Sequence, residues 1–591
     1  MSKPLEDYAM IGDGETVTLI AKDGSVDWLC WPRFDSQACF TALLGDDSHG
    51  CFRISPDAPG WIVQRRYRQD TLVLETEFHR GNNRARLIDF MPLRNGASSV
   101  VRIVEGISGE VPFRLECTPV FDYGLITPWV RRESASVIAA TVGPHMVVLR
   151  APVPLELTEH HTSASFTVSA RQQLAFVLTY GDSTKPPPHA PTPYRALRAT
   201  EQWWRGWVGR FNKPTRWREQ VVRSLITLKA LIHHPSGGLI AAPTTSLPEI
   251  FGGEANWDYR YCWLRDATFT VSALLNAGYH EEAEAWRDWM LRVIGGSPDK
   301  LRVMYRVDGI RHLPEWELDW LPGYENSRPV RNGNRASAQE QVDIHGEVIE
   351  ALHLLAKAGI ERTEQGCVVE QRLVKQLASV WCDKGHGVWE NRGEPQHYVY
   401  SKVMAWAGID QFLRGPLSRT QAQPDLQARL RLLRDEIHAE VCDKGFDRNR
   451  GHFVHHYGSS ELDGSLLLIP ATGFLRIDDP RITGTIQAIE RDMMEGGLVL
   501  RKPRSAAPQE GAFLACTCWL VDCMAMQGRR ADAEALFERL LSVSNDVGLL
   551  AEEYDLSRKR LCGNFPQTLS HLAVVTTTLG LSGPVLQRAG G

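Results

Sequence analysis

This 591-residue chain contains no run of 18 apolar residues, so no segment of it is predicted to cross a membrane. It also lacks any cluster of Lys and Arg. Its 66 basic and 71 acidic residues are interspersed, which excludes a strong electrostatic footprint for nucleic acid or an anionic membrane. The opening stretch, MSKPLEDYAM, has neither the basic nor the apolar part of a secretory leader. The 12 cysteines lack zinc-type spacing: Cys516 and Cys518 stand close together, but no second pair accompanies them. Buried free thiols in a reducing cytoplasm are therefore expected. The histidines at 159–161 and 452–456 read as surface or strand residues rather than metal ligands. There is no phosphate-cradling glycine loop and no nucleophile motif, so neither a metal nor a cofactor is expected.

What the chain has in quantity is tryptophan, 18 residues of it. Most would serve a core, because indole buries a large area, but flat rings also stack on the apolar faces of sugars. The length implies more than one domain. Residues 1–180 read as a β-sandwich of many short Val/Ile/Phe-rich runs with Gly turns. VTLIAKDGSVDWLCW is two such runs around Asp23-Gly24, a hairpin signal. The proline-rich GDSTKPPPHAPTPY, from Gly181, cannot hold a helix or a central strand and reads as a linker. A helix carrying Trp203, Trp204 and Trp207 follows, which completes a linker unit over 181–213.

From 214 to 591 the pattern is helical, with apolar residues at three- and four-residue steps. REQVVRSLITLKALIH, the long ATFTVSALLNAGYHEEAEAWRDWMLRVI, AQEQVDIHGEVIEALHLLAKAG and AFLACTCWLVDCMAMQG are examples. Many helices joined by short loops suggest a helical toroid, whose loops at one end can converge on a pocket.

Three loops carry candidate chemistry. In NWDYRYCWLRDATFT, Arg265 and Asp266 sit among aromatics before a helix. They form either an N-cap with an aromatic cluster or a sugar clamp, donating to one hydroxyl and accepting from the next. In GVWENRGEP, Glu390 follows Trp389; an acid against an indole loses solvation, and its pKa rises toward that of a general acid. In GLLAEEYD, Glu552 and Glu553 are adjacent carboxylates near apolar residues, one expected to face a cleft as a base and the other to support it. The following GNFPQTLSH offers Asn564, Gln567, Ser570 and His571 to orient a carboxylate or a water. Paired carboxylates flanking a bond fit glycoside hydrolysis.

With these motifs the chain resembles glycoside hydrolase family 15, the glucoamylase family, over essentially its whole length. YAMIGDGETVTLIAKDGSVDWLCWPRFDS resembles the start of the bacterial and archaeal trehalase-like branch. The resemblance implies an N-terminal β-sandwich, a linker helix and a C-terminal (α/α)6 barrel. It implies that Trp263-Leu264-Arg265-Asp266 is the family's W-x-R-D motif, with Arg265, Asp266 and Tyr259 at the subsite of the non-reducing glucose. It makes Glu390, after Trp389, the general acid and Glu552 the general base, with Glu553 as support and Arg501 as a sugar-binding arginine. Inversion follows, with the carboxyl groups roughly 6.5–9.5 Å apart. One departure concerns the leaving-sugar side: GYENSRPVRNG, with Tyr324 and Ser327, lacks the tryptophan found there in fungal relatives, and Trp316 and Trp320 are candidate substitutes. Glu347, a rival acid, falls inside a helical pattern and reads as structural.

The expectation is an inverting, exo-acting α-glucoside hydrolase in the cytoplasm. Trehalose is the expected substrate, and isomaltose or maltooligosaccharides are the alternative. A non-catalytic sugar-binding protein is the reading from a different class, and both carboxylates with their motifs argue against it.

Overall fold

The computed structural model describes residues 3–415, 424–507 and 509–583. The N-terminal part is two antiparallel sheets of eight strands each. The first runs in the order Tyr8–Gly12, Val17–Ala21, Ser25–Cys30, Cys51–Pro56, Glu110–Thr118, His161–Ser169, Glu156–Thr158, with Ala38–Phe40 beside Ser25–Cys30. The second runs Trp129–Ser134, Val137–Val142, His145–Arg150, Gln173–Asp182, Ser99–Ser108, Asn83–Phe90, Leu74–Arg80, Ile62–Tyr67. The hairpin expected around Asp23-Gly24 forms, with Leu19 opposite Trp28. Alternating apolar residues of both sheets, among them Phe78, Phe113 and Phe176, fill the space between them. Arg102 is fully buried there; it pairs with Asp89 at 2.7 Å and donates to the carbonyls of Phe52 and Gly24 at 2.6 Å, tying one sheet to the other.

The proline-rich stretch is shorter as a connection than its composition suggests. Strand pairing continues through Gly181 and Asp182, opposite Met146 and His145. Helix α1 (Pro193–Val208) starts on Pro193, a first-turn position where the missing N–H costs nothing. Trp207 of α1 stacks on Tyr279 at 4.1 Å and donates to Glu282 at 2.6 Å, seating α1 on the helical part.

The helical part begins with α2 (Arg218–Leu231). The long run 267–294, with helical spacing throughout, forms two helices, α3 (Ala267–Asn276) and α4 (His280–Ile294), broken at Gly278. Then come α5 (Asp343–Lys357), α6 (Glu364–Val380), α7 (Val399–Arg414), α8 (Pro424–Lys444), the short α9 (Ile469–Thr472), α10 (Pro480–Asp492), α11 (Leu514–Met526), α12 (Arg530–Leu541) and α13 (Thr568–Ser582). Burial divides them into two sets. Helices α3, α5, α7, α11 and α13 are apolar and buried almost all round, whereas α4, α6, α8, α10 and α12 bury one stripe. The buried set packs in sequence, α3 on α5, α5 on α7, α7 on the segment 464–472, that segment on α11, α11 on α13, and α13 back on α3. Where α5 meets α7 the backbones nearly touch: a Cβ on Gly346 would lie 2.1 Å from the Met404 carbonyl oxygen, so only glycine fits.

The sheets dock on the loops of the helical part. Trp28 donates to the Pro243 carbonyl at 2.8 Å, and buried Arg260, paired with Asp258 at 2.6 Å, donates to the Ser36 carbonyl at 2.7 Å. Among the described residues no helix is long and apolar enough to cross a membrane.

Candidate active site

The segment before α3 places four of the expected residues. Asp266 stands at the N-cap of α3 but makes no capping bond; its carboxylate takes the Arg265 Nε–H at 3.0 Å instead. Arg265 also donates to the Val388 carbonyl and to Glu390 Oε1. Trp263 Nε1 donates to the same Glu390 oxygen at 3.2 Å. Arg265 and Trp263 thus fix the Glu390 carboxylate on a loop where Glu390 itself holds a left-handed φ of 49°. Gln339 clasps that loop from behind, donating to the carbonyls of Glu390 and Asn391 at 3.2 and 3.3 Å. Burial pushes the Glu390 carboxyl up to about 7, against the pull of Arg265.

Tyr259 links this group to the second carboxylate. Its ring meets Trp263 edge-on with centroids 5.3 Å apart, and its hydroxyl donates to Glu552 Oε1 at 2.7 Å. Glu390 and Glu552 therefore lie at the two ends of one Trp263–Tyr259 pair. Glu552 Oε2 is buried and has no hydrogen-bond partner among the described residues. Burial raises Glu552 to about 8, with the charge of Glu249 adding to it and Arg501 opposing it. Gly563 packs directly on Glu552 at a φ of 77°, and a Cβ there would fall 2.7 Å from Glu552 Cβ.

Arg501 lies within 5.4 Å of the Trp389 and Phe513 ring centroids and is engaged by carboxylates. It donates to Glu249 at 2.7 Å and Glu510 at 2.6 Å, and lies 3.9 Å from Glu553. Glu553 is fully buried, accepts the Gly511 N–H at 3.0 Å, and has its carboxyl pushed up by burial and by Glu510. Glu249 and Glu510 were not singled out from the sequence; each is a lone acid in a Pro/Gly-rich loop, and no spacing connects them to Arg501.

All nine candidate residues fall into one connected group, with Trp389 held by Asp463 at 2.9 Å. The residues after Gly563 act differently from expectation. Ser570 donates to the Ala551 carbonyl, His571 accepts the Leu550 N–H, Gln567 caps α13, and Asn564 bonds Thr244 and the Trp257 carbonyl. Ser570 and His571 hold the backbone of the Glu552 loop, and Asn564 and Gln567 hold neighbouring segments rather than its carboxylate. Glu347 is buried in α5 and takes the Tyr400 hydroxyl at 2.6 Å. Trp316 and Trp320 are partly exposed, at 48% and 37%, and Trp320 donates to the Tyr123 carbonyl. A further tryptophan at the charged group is Trp257, which hydrogen-bonds Glu249. The guanidinium groups of Arg331 and Arg392 lie 4.4 and 3.9 Å from its ring, and Glu315 joins the two arginines. Among the described residues no group of three or more His, Cys, Asp or Glu is arranged to hold a metal ion.

The arrangement offers a carboxyl that keeps its proton near neutral pH and a second one with a free oxygen. The family model for glycosyl hydrolases family 15 matches residues 215–579, and that for the trehalase-like N-terminal region matches residues 1–203. The chain is 36% identical to a trehalase of Mycobacterium tuberculosis over 98% of its own length and 89% of the relative's. It is 34% identical to a trehalase of Thermoplasma volcanium, covering 98% and 94%. Among solved structures, a bacterial glucoamylase complexed with acarbose shares the fold with a TM-score of 0.69 at 12% identity, covering 99% of this chain and 95% of that one.

Proposed function

The chain belongs to glycosyl hydrolases family 15 and is a glycoside hydrolase, and from that premise we propose that it cleaves trehalose into two glucose molecules with inversion. The observation that carries the reading is the pair Glu390 and Glu552, set at either end of the Tyr259–Trp263 contact in unlike surroundings. What supports the roles is geometry: Glu390 is held by Arg265 and Trp263, while Glu552 is held by Tyr259 through one oxygen and keeps the other open for a water.

Glu390, protonated up to about pH 7, gives its proton to the glycosidic oxygen. Arg265 and Trp263 hold that carboxyl and stabilise the carboxylate left after transfer. Glu552 takes a proton from water through Oε2, while Tyr259 holds Oε1. Arg501 offsets the charge that Glu249, Glu510 and Glu553 place around the base. Asp266 is free of capping and accepts from sugar hydroxyls beside Arg265. The closed order of α3, α5, α7, the 464–472 segment, α11 and α13, with one-sided helices outside, is read as an (α/α)6 barrel beginning near residue 214.

The trehalase names of relatives that span nearly the whole chain favour trehalose over a polymer. The test is glucose release from trehalose, isomaltose, maltose and maltotetraose in parallel, with the product anomer read by NMR before mutarotation. Release from trehalose as equal α- and β-glucose supports the proposal. Preference for maltose or isomaltose would move the substrate to the glucoamylase-like alternative, and α-glucose alone from trehalose would overturn inversion.

A further inference from the structure

The strand Glu553–Asp555, which begins directly after Glu552, is the middle of a three-stranded sheet. Ala512–Phe513 pairs on one side and Arg560–Cys562 on the other, with Tyr554 opposite Leu561. Arg560–Cys562 is thus an edge strand, yet Leu561 is fully buried. A buried edge N–H needs a partner. It finds one far away in sequence: Leu561 N–H donates to Glu6 Oε1, from the turn Leu5–Asp7 at the start of the N-terminal sheets. Glu6 Oε2 also lies 3.8 Å from Arg560 Nε.

The same turn braces the other end of the loop that carries Glu552. Asn545 Nδ2 donates to the carbonyls of Glu6 and Tyr8 at 3.3 and 2.8 Å, while its Oδ1 accepts the N–H groups of Val547 and Leu549. Arg65 clamps the turn from the sheet side, donating to the Glu6 carbonyl at 2.8 Å and pairing with Asp546 at 2.6 Å. Gly563, the residue after the edge strand, packs on Glu552 with no room for a Cβ. A shift of the edge strand therefore reaches the carboxylate without slack.

We propose that Glu6 is a positioning residue for the reaction: its carboxylate, on the Leu561 N–H, fixes the hairpin that aims Glu552. It touches no substrate and acts through the backbone. The inference rests on Glu552 being the base, and that is tested separately, since a Glu552→Gln variant with normal turnover would remove the base assignment whatever Glu6 does.

The measurement compares Glu6→Ala, Glu6→Asp and Glu6→Gln by kcat, KM, pH profile and thermal midpoint on trehalose. Misplacement of a reacting group by about 1 Å costs up to about a hundredfold, so Glu6→Ala should lower kcat about ten- to hundredfold with KM within about threefold. Glu6→Asp, one methylene short of Leu561, should also lower kcat and move the Glu552 limb of the pH profile, as Glu6→Ala should, and serves where the alanine variant does not fold. Glu6→Gln keeps an acceptor for the N–H and should recover most of kcat. Three results would overturn the proposal. One is kcat within about twofold of normal in Glu6→Ala or Glu6→Asp with only the thermal midpoint lowered. Another is an unmoved pH limb, and the third is Glu6→Gln as impaired as Glu6→Ala.

Discussion

Tyr259→Phe removes one hydroxyl and leaves the ring against Trp263. The lost bond is the 2.7 Å donation to Glu552 Oε1, made within a buried cluster. A hydrogen bond to a charged group contributes about 1.5–3 kcal/mol. At about 1.36 kcal/mol per pKa unit, the ionised form of Glu552 loses stabilisation worth about one to two units. The sign is upward, because the bond favours the carboxylate over the acid, and the starting point is about 8. Glu390 loses its proton near 7. The productive pair, protonated Glu390 with ionised Glu552, is then a minor form of the free enzyme, and its share falls about tenfold for each unit that Glu552 rises. The profile of kcat/KM against pH reports the free enzyme. In Tyr259→Phe its maximum should drop about ten- to hundredfold, and the limb set by Glu552 should move to higher pH by about one to two units. Activity within about threefold of normal with both limbs in place would refute the role given to the hydroxyl and the charge logic around it.

Other variants probe the remaining parts. Glu249→Gln removes the charge that raises Glu552, so the Glu552 limb should move to lower pH in the same kinetic profile. Glu390→Gln should lower kcat by about a hundredfold or more while Glu347→Gln stays near normal, and the reverse pattern in a direct comparison would transfer the acid role to Glu347. Gly563→Ala should abolish turnover or folding, read by activity and circular dichroism, because the new Cβ falls 2.7 Å from Glu552 Cβ. Arg102→Ala, which strands buried Asp89 between the sheets, should lose about 3–5 kcal/mol in urea unfolding.

Much of the architecture was legible because it is periodic. The strand runs of the first 180 residues and the helical runs of α2, α7, α8 and α11 follow from spacing alone. The break between α3 and α4 was hidden because apolar spacing continues across Gly278, and only the left-handed φ of that glycine stops the helix. Helix α13 is less legible, because it is rich in Thr and Ser that a buried helix absorbs through backbone bonds such as Ser582 to the Thr578 carbonyl. At the site, Glu390 and the Arg265-Asp266 pair stand out through neighbouring aromatics. Glu249 and Glu510 do not, since what makes them matter is Arg501, 252 and 9 residues away along the chain.

The unlike charge surroundings of the two carboxyl groups explain how one site can hold acid and base together. Glu390 has a guanidinium as direct partner, so although burial first, and then Asp266 and Asp343, push its pKa up, it stays near 7. Glu552 has no guanidinium of its own. Arg501, the nearest, is already engaged by Glu249 and Glu510, and Glu553 lies close behind. Four buried or nearly buried carboxyl groups around one arginine cannot all be ionised at low cost, so the group retains protons. A proton taken from water by Glu552 thus enters a cluster that already favours protonation, while the carboxylate left when Glu390 protonates the glycosidic oxygen faces the Arg265 guanidinium. Glu249, Glu510 and Arg501 tune the base and Arg265 the acid, and the first three need never touch the bond that breaks.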